Sequence, residues 1–155
     1  MKKHLFIITI LALTSIFFIG CGKSDLRERY VGRYNLNVQG ILQISDPNGA
    51  KRSVTWELLN QDLGIEKQPG LKNALVVKGY YECNATIDKS YIYFEPFTLV
   101  DTIEGMPMTL NLVPSKGFLN GDGVLTFDIA ATGNAKIDMA TCAIEGVCSN
   151  TARKQ

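Results

Sequence analysis

Leu75-Val76-Val77-Lys78-Gly79-Tyr80-Tyr81-Glu82-Cys83-Asn84-Ala85-Thr86-Ile87 is the stretch whose pattern sets the fold class. Its odd positions run Leu75, Val77, Gly79, Tyr81, Cys83, Ala85 and Ile87, whereas Lys78, Glu82, Asn84 and Thr86 fall on even ones. Alternation with period two puts one set against a core and the other in water, which is the pattern of a half-buried β-strand. The stretch is long enough to bend, and Gly79 is the expected place for the bend.

The same period recurs on both sides of it. Upstream, Tyr30 to Gln43 places Tyr34, Leu36 and Val38 on one face, and Gly40 is expected to bend the strand before Ile41, Leu42 and Ile44. Asp46-Pro47-Asn48-Gly49 carries turn chemistry, and Val54, Trp56 and Leu58 then share a face. Residues 60–72, with Gly64, Pro69 and Gly70, read as a loop or a broken short helix. Downstream, Asp88-Lys89 turns the chain into Tyr91 to Phe97, Leu99 to Ile103 continues it, and Gly105-Met106-Pro107 interrupts it. Met108, Leu110 and Leu112 form an inward face. Pro114 to Gly117 turns, Phe118-Leu119 pairs briefly, and Asn120-Gly121-Asp122-Gly123 is a hairpin signal. Leu125, Phe127 and Ile129 follow, with a turn expected at Gly133-Asn134 before Lys136 to Ile144. No stretch has the 3.6-residue period of an amphipathic helix of three turns. About seven to nine short strands predict an all-β fold. An antiparallel up-and-down β-barrel of about eight strands is preferred to the alternative, a β-sandwich, because closure leaves no exposed edge.

The N-terminus has a different character. Lys2 and Lys3 precede a nearly unbroken apolar run, Leu5 to Ile19, which ends at Gly20-Cys21. A basic start, an apolar middle and a small residue at the cut make a secretory signal. At roughly 15 residues the run is shorter than the roughly 20 that a membrane-spanning helix needs. The cysteine directly after Gly20 makes the segment resemble a bacterial lipoprotein signal, which implies lipidation of Cys21. The predicted organisation is a signal peptide at 1–20, a lipidated tether at 21–28, a barrel domain at 29–148 and a loose polar tail at 149–155. Gly22 after the cysteine, rather than Asp, fits sorting to the outer membrane, so the expected location is the cell envelope.

Without residues 1–20 the chain loses Lys2 and Lys3, leaving fourteen basic residues against fifteen acidic ones. So balanced a charge gives no basic face for nucleic acid. The only histidine is His4, inside the signal. The exported chain therefore lacks the histidine base of Ser/His/Asp and Cys/His catalysis, and no catalytic residue is assigned. Cys83, Cys142 and Cys148 remain after Cys21 is lipidated. In an oxidising compartment Cys142 and Cys148 are the expected disulfide, with Gly146 at the turn between them; pairing of Cys83 with either is the alternative. Three thiols and no histidine do not make a four-ligand zinc site, so no metal or cofactor is expected.

Arg29-Tyr30-Val31-Gly32-Arg33-Tyr34-Asn35-Leu36 opens the domain. The Gly-x-aromatic motif, here Gly32 and Tyr34, resembles that of the calycin group, the lipocalins and their relatives, with Tyr34 where the family has Trp. With the lipoprotein signal and short tether, the layout is similar to calycin-like lipoproteins of Bacteroidetes type. The resemblance implies a closed barrel, whose interior either holds an apolar ligand or is filled. The large inward residues, among them Trp56, Tyr81, Met108 and Phe127, favour a filled one.

Tyr80, Tyr91, Tyr93 and Phe97 suggest an outer aromatic strip suited to a glycan or a protein partner, set against the simpler reading of cross-strand packing. Glu82 and Glu95 as a glycosidase-like pair, and Asp122 as a calcium ligand, are weaker than chance proximity and a turn role. Asp101-Thr102-Ile103 resembles the site at which Bacteroidetes attach O-glycans. The expectation is a membrane-tethered binding module, not an enzyme, for a small apolar ligand, a glycan or an envelope protein. The alternative is an interaction or inhibitor lipoprotein with a filled barrel.

Overall fold

The structure, a computed structural model, describes residues 25–155. The signal segment 1–20 and the lipidation site Cys21 lie outside them. Ten strands carry almost all of the described chain: β1 (Gly32–Ser45), β2 (Lys51–Lys67), β3 (Ala74–Gly79), β4 (Cys83–Asp88), β5 (Tyr91–Phe94), β6 (Phe97–Ile103), β7 (Met106–Pro114), β8 (Lys116–Leu119), β9 (Val124–Ile137) and β10 (Ala140–Lys154). All pairings are antiparallel, and the order β1-β2-β3-β4-β5-β8-β9-β10 returns to β1 as a barrel-like ring of eight strands. The all-β antiparallel expectation holds.

Closure comes from β10, which is paired along both edges. Tyr34↔Lys154 to Ser45↔Ala143 ties it to β1, and Ala140↔Ile137 to Arg153↔Val124 ties it to β9. Strand β9 is shared: Thr126 and Leu125 pair with β8, whereas Ile129 to Ala135 pair with β7, which in turn carries β6. The β6–β7 hairpin is thus a branch off the ring.

Inward residues fill the ring. Leu36, Leu42, Leu75, Ile92, Leu110, Leu125, Ile129 and Cys148 are inaccessible to solvent and belong to one continuous apolar cluster. Asn150 is the one buried polar side chain among the described residues; its Oδ1 accepts from the Tyr81 hydroxyl at 2.8 Å and its Nδ2 donates to the Cys148 carbonyl. One end is stopped by a 3-10 turn, Leu26–Arg29, capped by Asp25, whose side chain accepts from Arg27 N. Tyr30 follows it into the core and donates to the Ser90 carbonyl at 2.6 Å, and Tyr34 donates to the Tyr30 carbonyl at 2.6 Å. The motif residues Gly32 and Tyr34 therefore sit at the stopped end.

Several local expectations are corrected. Leu75 to Ile87 is a hairpin, β3 and β4, not one strand; Gly79 has φ +115°, and a Cβ there would lie 2.3 Å from the Asp62 carbonyl oxygen, so the bend becomes a reversal. Parity survives it, because Leu75, Val77, Tyr81, Ala85 and Ile87 all remain buried. Residues 60–67 are strand, not loop. A bulge opposite Asn37 shifts the pairing from Val38↔Leu58 to Leu36↔Gln61, with Asn60 at φ 55° and its N–H donating to Asn37 Oδ1. The extra residue moves the inward set from Val54 and Trp56 to Leu63 and Ile65, which breaks the period-two pattern. Gly133-Asn134 is interior to β9, and the turn is Asp138-Met139, both with positive φ as a two-residue hairpin requires. The tail 149–155 is not loose: Ser149 to Lys154 complete β10.

The Cys142–Cys148 disulfide is not formed, and both thiols are free and buried. Gly146 does not turn; it pairs with Leu42 and Ala131 inside β10. Six residues along one extended strand separate the two Cα atoms by roughly 20 Å, far beyond the about 7 Å a disulfide tolerates.

Close approach explains Gly40. A Cβ there would lie 2.4 Å from Cys148 Sγ and 2.7 Å from both Cys148 Cα and the Val147 carbonyl oxygen. Gly40→Ala is expected to lower stability by about 1–3 kcal/mol in urea unfolding. Adding Cys148→Ala should recover only part of the loss, because the backbone clashes remain. A neutral Gly40→Ala would contradict this packing.

Candidate functional site

The branch leaves two strand edges unpaired. Strand β2 meets β3 only over Leu63 to Lys67, so its first half, Lys51 to Leu58, has only β1 beside it. Strand β6 has only β7. The two edges lie alongside each other across a seam. The seam opens into a cleft of about 510 Å³, formed by Thr55 to Leu58 and Gln61 of β2, Tyr80 of the β3–β4 turn, and Asp101 to Glu104.

Two carboxylates cap edge N–H groups that would otherwise go unpaired. Glu104 lies in the two-residue turn between β6 and β7 at φ 49°, and its Oε1 accepts from Thr55 N at 3.1 Å. Asp101 Oδ1 accepts from Thr102 N at 2.7 Å, and its Oδ2 accepts from the Tyr80 hydroxyl at 2.5 Å. Burial, and then the hydrogen bond to Asp101, hold the Tyr80 phenol well above its ordinary value, so Tyr80 is a proton donor at neutral pH.

The base of the cleft is Trp56, only 1 % exposed. Its indole nitrogen is fully buried and finds no acceptor among the described residues. The polar group it acts on is the Tyr80 hydroxyl, toward which the indole N–H is a weak donor that favours the phenolate. A buried indole N–H normally has a partner, and leaving it without one costs about 1–3 kcal/mol. The lining holds three carboxylates, from Glu57, Asp101 and Glu104, and no Lys or Arg.

The four aromatics expected in one strip are divided. Tyr80 and Phe97 flank the buried Tyr81 ring, each 5.1 Å from it. Tyr91 packs instead on Phe118 at 6.0 Å beneath the Lys116 ammonium, and Tyr93 is exposed on β5. Glu95-Pro96 separates β5 from β6, and β5 pairs with β8, so the strip is split between two places. Only Tyr80 reaches the cleft. Glu95 is held by Asn84 at 3.1 Å. Asp122 lies in the turn organised by Asn120, whose Oδ1 accepts from Asp122 N and Val124 N. Thr102 is exposed at the cleft rim.

Trp56, Gln61 and Glu104 were not legible as site residues. Trp56 reads only as an inward residue, although one tryptophan with a donor to satisfy inside an apolar barrel is a signal in itself. A second groove, about 430 Å³, runs over Gly32, Gly64 and Gly79; of its charged lining residues Lys78 and Glu66 pair at 2.7 Å, and Arg33 and Asp62 complete it. Among the described residues no three His, Cys, Asp or Glu side chains are placed to hold a metal ion, and no helix is long and apolar enough to cross a membrane. No protein-family model matches the chain, and no curated protein matches it.

The interior thiols are shielded. Burial raises half-buried Cys83 from 9.0 to about 12 and Cys148 to about 11, and it raises Tyr34 from 10.0 to about 12. Each group keeps its proton longer folded than unfolded, so its stabilising contribution is whole below the unfolded value and lost as pH rises through the folded one. The urea midpoint should therefore hold level through neutral pH and fall steadily from about pH 9 to about pH 12. A midpoint that rises across that window would contradict the burial of these groups.

Proposed function

We propose that this protein is a lipid-tethered envelope binding module of calycin-like type, which takes its ligand in the β2–β6 cleft and not inside the ring. The observation that carries the reading is the cleft itself: an open seam between β2 and β6, lined by Tyr80, Trp56 and three carboxylates, beside a continuous apolar interior. A volume of about 510 Å³ falls in the range of about 300–1,000 Å³ of small-molecule sites. Support for the family comes from Gly32 and Tyr34 at the stopped end of the ring. Support for the tether comes from the Gly20-Cys21 signal. Lipidation at Cys21 places the domain at the envelope membrane, and no catalytic, cofactor or nucleic-acid role is proposed.

A row of exposed apolar residues favours a second reading, a protein partner. Ile41, Val147, Ala130 and Val113 are in register across β1, β10, β9 and β7, and the Ile and both Val side chains are more than half exposed. That row lies on the outer face of the sheet, and its Ile41 end pairs with Thr55 of the cleft lining.

All ten strands and the whole apolar cluster fall between Leu26 and Lys154, so residues 22–155 suffice for a direct test. Native mass spectrometry of this segment from a bacterial lysate should give the bare mass, or a polar molecule lost on dilution. A fatty-acid-sized adduct that persists until denaturation would contradict a filled ring.

A further inference from the structure

We infer that the stopped end of the ring is a membrane-docking face, seated on an anionic bilayer beside the lipid anchor, an inference that rests on Cys21 being lipidated. Chain length dictates which end comes first. From Cys21 to Asp25 is four residues, which span at most about 14 Å. Asp25 caps the 3-10 turn that stops the ring, so this end stands next to the anchor. The fourteen residues of β1 then run roughly 45 Å away from it.

The near-balance of charge over the whole chain conceals a polarity between the two ends. The stopped end consists of the 3-10 turn, the β2–β3, β4–β5 and β8–β9 connections and the strand termini beside them. Among the described residues it carries six cations, Arg27, Arg29, Lys67, Lys72, Lys89 and Lys154, against four anions, Asp25, Glu28, Asp88 and Asp122. Lys23 in the tether adds a seventh cation. The opposite end is formed by the β1–β2, β3–β4, β6–β7 and β9–β10 turns. Its described charges are Asp46, Glu82, Glu104 and Asp138 against one cation, Lys51.

The anions nearest the anchor are already bound: Asp25 to Arg27 at 2.8 Å and to Lys67 at 3.1 Å, and Glu28 to Lys67. Arg29, Lys72, Lys89 and Lys154 form no ion pair among the described residues. Two leucines lie beside these cations. The Arg27 guanidinium donates to the Gln68 and Leu71 carbonyls, which ties the turn carrying Leu26 to the loop carrying Leu71. Both leucines are more than half exposed. Apolar side chains flanked by Lys and Arg match an anionic bilayer surface, with leucine in the interface and the cations at phosphate level. A folded protein partner does not fit there, because the anchor holds the bilayer within about 14 Å of Asp25. Docked this way, the protein turns Glu104 and its end of the β2–β6 cleft away from the membrane.

The full chain is produced in a lipoprotein-processing bacterium, the mass on Cys21 is read, and the protein is reconstituted in phosphatidylcholine vesicles with and without phosphatidylglycerol. The vesicles carry a quencher high on the acyl chain. Leu71→Trp and Met139→Trp each add an emitting group, one at either end, and the parent's Trp56 gives the baseline. The quencher should remove the emission that Leu71→Trp adds and spare that added by Met139→Trp, with the larger effect in phosphatidylglycerol. Leu26→Trp gives the same readout should Leu71→Trp not fold. Lys72→Ala should shift the docking equilibrium about fivefold against contact. An acylated Cys21 with Leu71→Trp and Leu26→Trp unquenched, or with Met139→Trp quenched as strongly, overturns the docking face and leaves the tether standing. Equal quenching in both kinds of vesicle overturns the anionic surface as the partner. A chain with no acyl mass on Cys21 overturns the tether, and the docking with it.

Discussion

The pairing of β10 along both edges is the constraint on which the rest of the molecule depends. A strand sheet closed on itself leaves no row of unpaired N–H and C=O groups on the strands that take part. Here the last strand in the sequence performs the closure, from Ala140 to Lys154, against the first strand and against β9. Its inward residues alternate Cys142, Ile144, Cys148, Asn150 and Ala152, with Gly146 left bare so that Leu42 can cross it. The same economy of space places Gly40 opposite Cys148. Bulk on one strand is met by absence on its neighbour, and the inward side chains form one continuous apolar cluster.

A ring of eight strands made from ten leaves two to be placed, and the molecule places them as a branch from β9. The consequence is a seam, because β6 and the first half of β2 each keep one free edge. Side chains and not a ladder cap it: Glu104 holds Thr55 N, and Asp101 holds Thr102 N and the Tyr80 hydroxyl. Carboxylates on an exposed edge discourage another strand from pairing there. They also line, with Tyr80 and Trp56, the cleft that the seam opens. The feature that protects the edge is thereby the feature that gives the cleft its chemistry.

Much of this was legible in the residues and some was not, for local reasons. Period two marked β1, β7 and the start of β9, because those strands alternate without interruption, whereas Lys116 and Gly117, expected in a turn, are the first half of β8. It failed in β2, where the bulge at Leu59-Asn60 inverts parity and makes Asp62 to Ile65 look irregular. It failed again at β9–β10, where Asp138-Met139 turns through positive φ with no glycine to announce it, while Gly133 within the strand offered a false turn. The disulfide expectation rested on that same habit of reading glycine as a turn, this time at Gly146. The cleft was illegible for a different reason. Trp56, Tyr80 and Asp101 meet only because a branch and a ring come alongside each other, and pairing across a gap has no signature in local periodicity.

The most direct measurement is hydrogen exchange of the single indole proton, read by nitrogen-edited NMR against the amides of Leu36 and Cys148 within the ring. An indole proton that exchanges well before those amides in the free protein, and becomes protected when a cleft ligand is added, is the expected result. An indole proton as protected as the core amides from the outset would mean that the seam is shut, and that Trp56 is a buried core residue and not the floor of a site.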